Sequence, residues 1–251
     1  MPAPSLSNPA ATLAPTAART GRRVIDAPIR MFHWLFALCF IGAYLTADGE
    51  RWRMLHVTLG YSMVGLLAFR VVYGLIGPRQ ARLSLMWHRL AATTSGLRQA
   101  AAGRSPAGAP WRQGQSLFTA LAVALPLALT VPLVLSGYAA FNEWGTVFGD
   151  EWLEELHEFF GNAMLAVVAG HVGLIGVLSV LRRKNQARPM VTGRIEGSGP
   201  DLVKHNRRGL AALLLVAVLA YGTLEWRQAP GGLLAASASH GGHERKHDHD
   251  D

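Results

Sequence analysis

Four histidines stand within or at the ends of long apolar runs: His33, His56, His157 and His171. A side chain that can carry charge is costly at membrane depth, so its presence there is by default a functional signal. Imidazole is an axial ligand of haem iron, and one iron takes one imidazole from each of two facing helices, so four such residues suffice for two haems. His157 and His171 lie in one run, and their separation of about 14 residues is on an α-helix roughly 21 Å of rise and within ~40° of four whole turns. They project from one face, one near each membrane surface. His33 opens the first run at one surface, and His56 opens the second at the other, because the chain crosses once between them. Depth then pairs His56 with His157 and His33 with His171. Polar packing or a proton relay is the alternative use of buried imidazoles, but neither calls for matched levels on three helices.

The neighbours of the histidines fit a flat cofactor. His56 and Gly60 make His-x-x-x-Gly, as do His157 and Gly161. Residues four apart share a helix face, so a missing side chain beside each ligand leaves room for a macrocycle. Small residues also favour helix packing in membranes, and for Gly170, Gly173 and Gly176 both readings stay open. Arg70 follows His56 by the same interval that separates His171 from His157, which sets it on the same face at the level of the other haem. A propionate would suit it, and snorkelling to the nearer surface is the alternative. Cys39, the only cysteine, reads as a small buried hydrophobe. It excludes a disulfide within the chain, a Cys-x-x-Cys-His haem attachment and an all-cysteine iron–sulfur cluster.

These residues need helices to hold them. Half of the 251 residues are hydrophobic and 16% are charged, with apolar runs at roughly 29–47, 55–76, 116–141, 154–181 and 208–226. Each approaches the ~20 residues that cross the hydrocarbon core. The expected fold is all-α: a four-helix transmembrane di-haem bundle with a fifth transmembrane helix, kinked in the third run at Pro126 and Pro132. Lys and Arg in alternate connections number 18 against 5, which places the N-terminus, the 78–115 loop and the 182–208 loop in the cytoplasm and the C-terminus outside. The net charge of +8 sits in loops without an aromatic-interleaved face, so nucleic acid is not the expected partner.

Beyond the spans, residues 1–22 read as a disordered arm and 23–195 as the haem domain, followed by 196–227 with the fifth helix and by a His-rich tail at 228–251. Arg82 to Leu90 has the pattern of a short amphipathic helix on the membrane surface, or of a plain loop. His88 and His205 fall in polar loops and read as solvated. His240, His243, His247 and His249 form either a transition-metal site or a disordered polar tail.

Arg30-Met-Phe-His33-Trp34, Leu55-His56-Val-Thr-Leu-Gly60-Tyr61, Phe69-Arg70-Val-Val-Tyr73-Gly74, Gly77-Pro78 and Leu156-His157-Glu-Phe-Phe-Gly161-Asn162 resemble the bacterial cytochrome b-561 family, which includes the b-type subunits of nickel-iron hydrogenases and of membrane formate dehydrogenase. The resemblance covers about residues 23–195. It implies two haem b groups with bis-histidine ligation, the four ligand positions falling on His33, His56, His157 and His171. It further implies a multi-pass protein of the bacterial inner membrane that exchanges electrons between quinone and an external partner, a c-type cytochrome or an iron–sulfur subunit. Quinone would then react near the inner haem, with Arg30, Arg70 or Tyr73 as contacts. Two other functions fit parts of the pattern. One is a self-sufficient oxidoreductase meeting a small external reactant such as superoxide. The other is a metal transporter, against which the lack of intramembrane Asp and Glu partners weighs.

Overall fold

The computed structural model describes residues 21–84, 91, 95, 98, 102, 109–144, 150–197 and 199–228. Helices α1 (Ala27–Leu45), α2 (Arg53–Ile76), α3 (Ala109–Phe141), α4 (Asp150–Leu181) and α6 (Arg208–Gln228) are long, and α5 (Arg188–Thr192) is a single turn or so. The five long helices are each long and apolar enough to cross a membrane. All five expected runs are helices, most of them beginning a few residues before the apolar stretch. A chain that binds lipid rather than water can leave apolar side chains on its outside, and Leu45, Ile76 and Val180 are each strongly exposed.

Local signals set the helix ends. Asp26 caps α1, its carboxylate accepting from the Ile29 amide at 3.3 Å, and Pro28 stands in the first turn, where no amide partner is needed. At the other end the Thr46 hydroxyl donates to the Gly42 carbonyl at 2.7 Å. α2 stops at Gly77, whose backbone passes so close to the Tyr73 carbonyl that a Cβ would overlap it, and Pro78 then disfavours further helix. α3 runs unbroken through Pro126 and Pro132. Beside Pro126, the buried Thr130 hydroxyl donates to the Pro126 carbonyl at 2.6 Å.

α1 packs on α2, α6 packs on both, α3 pairs with α4, and α2 meets α3. The shared core comprises Phe32, Cys39, Phe40, Met63, Leu66, Leu133, Met164 and Leu214. Cys39 is therefore a core residue. At the end where α1 starts, Arg22–Arg23 and Arg194–Ile195 form a two-stranded antiparallel ladder. Arg22, read from sequence as the last residue of the arm, thus has Ile195 as its ladder partner. The Leu202 amide donates to the Arg23 carbonyl at 2.9 Å, and the Ala27 amide to that of Asn206 at 3.2 Å. The segment leading to α6 is bound in this way to the start of α1. Most of the 82–90 stretch, including His88, and the His-rich tail beyond Gln228, with His240, His243, His247 and His249, lie outside the described residues.

Candidate functional site

The four histidines meet in two pairs. The rings of His56 and His157 have centroids 5.8 Å apart, and those of His33 and His171 are 6.4 Å apart. Helix direction puts the first pair near the end of α1 and the start of α4. That end exposes Asp48, Glu50, Glu151, Glu154, Glu155 and Glu158, and we call it the acidic end. The second pair lies toward the basic end, where α1 and α6 begin and Arg182, Arg183 and Lys184 follow α4. Among the described residues, no third His, Cys, Asp or Glu joins either pair to make a metal-ion group.

Two imidazoles bound on opposite sides of one iron, each through a metal–nitrogen bond of about 2 Å, place their ring centres about 6 Å apart. Both pairs have that spacing. A Cβ built on Gly60 meets no atom within 4 Å, and one on Gly161 meets only Leu133 Cδ1 at 3.9 Å. Beside His56 and His157 there is therefore room for a ring plane. α4 reaches across to α1 and α2 through the two histidine pairs and through the Tyr44 hydroxyl, which donates to Asn162 at 3.1 Å. The residues present fit two bis-histidine haems.

The pairs differ in what orients them. His56 Nδ1 donates to the Ala43 carbonyl at 2.8 Å, and His157 Nδ1 donates to that of Leu133 at 2.9 Å. A carbonyl only accepts, so Nδ1 carries the proton in both and Nε2 is left for a metal. Ala43 lies in the last turn of α1, and its carbonyl also accepts from the Thr46 amide at 3.2 Å and the Thr46 hydroxyl at 3.1 Å. Leu133 is mid-helix, and His157 reaches it because residue 137 is glycine: a Cβ there would lie 2.7 Å from the imidazole Cε1. The buried Ser136 hydroxyl also donates to Leu133, at 3.0 Å, and stands 3.4 Å from His157 Nδ1. By contrast, Nδ1 of His33 and Nδ1 of His171 are buried without a hydrogen-bond partner among the described residues. His33 is held instead by edge contact with Trp34, whose indole donates to the Met190 carbonyl at 3.1 Å.

The other expected site residues separate. Arg70 is buried, donates to the Ala81 carbonyl at 3.0 Å, and lines a cavity of about 100 Å³ with Asp26 and Val203. It does not snorkel to the surface. The Tyr73 hydroxyl donates to Asp26 and accepts from Arg207 at 3.2 Å, so protein partners already occupy it. Arg30 donates through Nη1 to the Val191 carbonyl at 2.6 Å, while its Nε is buried without a partner among the described residues. Gly170, Gly173 and Gly176 stand at the periphery of α4, and a Cβ on any of them meets nothing within 4 Å. Gly173 and Gly176 lie about 160° and about 140° around α4 from His171, so they do not border the face that carries it.

Sequence reasoning missed Asp26, Ser136, Gly137 and the α5 segment. Asp26-Ala27-Pro28 is a helix-start signature, and Gly193 after Thr192 is a helix-stop glycine, so two of these had a local signal. Gly137 had none. The sequence model of the family described as prokaryotic cytochrome b561 matches residues 24–193. No curated protein and no solved structure matches the chain.

Proposed function

We propose that this chain, which belongs to the prokaryotic cytochrome b561 family and is a membrane b-type cytochrome of electron transfer, holds two b haems and exchanges electrons between the quinone pool and an external redox partner. His56 and His157 would ligate one haem, and His33 and His171 the other. The observation that carries this reading is the pair of facing imidazoles at 5.8 Å and 6.4 Å, set at two separate levels along α4.

Each haem, when bound, supplies a one-electron carrier at its iron. The chain's part is to fix ligands, burial and distance. His56 and His157 are aimed by the Ala43 and Leu133 carbonyls, and α4 holds the two levels roughly 21 Å apart along its axis. Gly60 and Gly161 keep side chains clear of the ring planes. By the excess of Lys and Arg, the basic end faces the cytoplasm of a bacterial inner membrane, with the C-terminus outside. Quinone then reacts near the His33–His171 pair. Of Arg30, Arg70 and Tyr73, Arg30 suits that contact best, since its Nε alone among their hydrogen-bonding groups is buried without a partner.

The external partner is a c-type cytochrome or an iron–sulfur subunit. The exposed carboxylates around the His56–His157 end favour a protein partner over superoxide, because a negative surface lowers the local concentration of a small anion. The paired arrangement of the histidines likewise favours haem over metal transport, which needs more ligands at one site. A dithionite-reduced minus oxidised spectrum with pyridine haemochrome quantification tests the reading, together with stopped-flow mixing of the oxidised protein with quinol. Two b haems per chain and rapid reduction by quinol are expected. No b-type spectrum, one haem per chain, or no reduction by quinol would overturn it.

A further inference from the structure

We propose that the two histidine sites are built to different reduction potentials, the His56–His157 site lower and the His33–His171 site higher, with Ser136 and Gly137 as the positioning residues that set the lower one. This rests on the reading that each pair holds a haem b. An imidazole whose Nδ1–H donates to a carbonyl gains electron density at Nε2, and a more basic ligand stabilises the oxidised iron. Both histidines at the acidic end have such a bond, at 2.8 Å and 2.9 Å, and neither at the basic end does.

Charge acts in the same direction. Reduction adds one electron, so nearby carboxylates oppose it and cations favour it. Glu154 and Glu158 stand within about a turn of His157. Arg30 is one turn from His33, and its Nε is buried without a partner. Arg51 and Arg53 keep their charge over the Trp52 and Phe141 rings at 5.6 Å and 5.5 Å, but the exposed carboxylates of that end, Asp48, Glu50, Glu151, Glu154, Glu155 and Glu158, outnumber them. At the basic end the carboxylate of Asp26 accepts from Tyr73 beside Arg207. An electron delivered at the acidic end therefore runs downhill toward the basic end.

Ser136 and Gly137 give the means of testing this. The Leu133 carbonyl accepts from both His157, at 2.9 Å, and the Ser136 hydroxyl, at 3.0 Å, while Ser136 Oγ stands only 3.4 Å from His157 Nδ1. Ser136→Ala therefore removes chiefly the competing donor to the carbonyl and strengthens the His157–Leu133 bond. Gly137→Ala places a Cβ within 2.7 Å of the His157 ring, which must turn away from Leu133.

The test is an optically detected potentiometric measurement on the purified holoprotein and on each variant, with haem b counted per chain. Two separate components are expected in the parent. Ser136→Ala should move the lower one further down and leave the upper one in place, while Gly137→Ala should move the lower one up or remove it. If Gly137→Ala yields no haem protein, Ser136→Ala decides alone. The proposal is overturned if two haems are present but titrate together, if the upper component is the one that responds, or if Ser136→Ala moves neither. Fewer than two haems in the parent would instead overturn the di-haem reading beneath it, and this proposal with it.

Discussion

The Tyr73 hydroxyl donates to the carboxylate of Asp26, which stands far earlier in the chain and caps the helix that carries His33. Arg207, just before α6, donates to the same hydroxyl at 3.2 Å. One oxygen therefore links α1, α2 and the start of α6. Tyr73→Phe keeps the ring stacked on Phe69 but leaves a buried carboxylate and a guanidinium each short of a partner. That should cost about 1–3 kcal/mol. Thermal unfolding of the purified protein in detergent should show a lower midpoint with unchanged haem content. An unchanged midpoint would show that the link contributes nothing.

The ligand pairing predicts shared phenotypes. His33→Ala and His171→Ala should remove the same haem, and His56→Ala and His157→Ala the other, each lowering haem per chain from two to one. Yield should fall as well, because each change opens a cavity and strands a second imidazole. Potentiometry read by haem absorbance distinguishes the pairs. Loss of one component by both His33→Ala and His157→Ala would break the assignment.

Gly60 separates room for a cofactor from helix packing. A Cβ there meets no protein atom, so Gly60→Leu should leave the apoprotein folded, with a small gain in helix propensity of under about 1 kcal/mol. The same side chain would project into the ring's place beside His56. Haem content should drop by half while the yield of membrane-inserted protein holds. Full haem content in Gly60→Leu would count against a macrocycle at that position.

Orientation rests on the bias of 18 Lys and Arg in one set of connections against 5 in the other. A reporter that works only outside the cytoplasm should be active when fused after Asp251, and one that works only inside should be silent there. The opposite pattern would invert the bundle or remove α6 as a span.

The five spans and the two levels of histidine were legible in the sequence for one reason. A helix converts residue number into depth at about 1.5 Å per residue and into facing at about 3.6 residues per turn, so the interval between His157 and His171 already states both. Asp26 and Pro28 mark the start of α1 just as locally. The orienting partners of the histidines were not legible. Every residue has a carbonyl, and nothing in the letters at Ala43 or Leu133 distinguishes theirs. His157 finds Leu133 only because α3 and α4 pack closely where residue 137 lacks a side chain, and Gly137 looks like any other small residue in an apolar run. Arg70 was read by depth and facing as a partner for a propionate, and Tyr73 only as a contact for quinone. That Arg70 donates to Ala81, and that Tyr73 joins Asp26 and Arg207, was in neither reading, because those partners come from turns and helix starts elsewhere in the chain. Depth and facing follow from one helix alone, whereas a hydrogen-bond partner depends on where a second helix crosses it, and that crossing is set by the packing of the whole bundle.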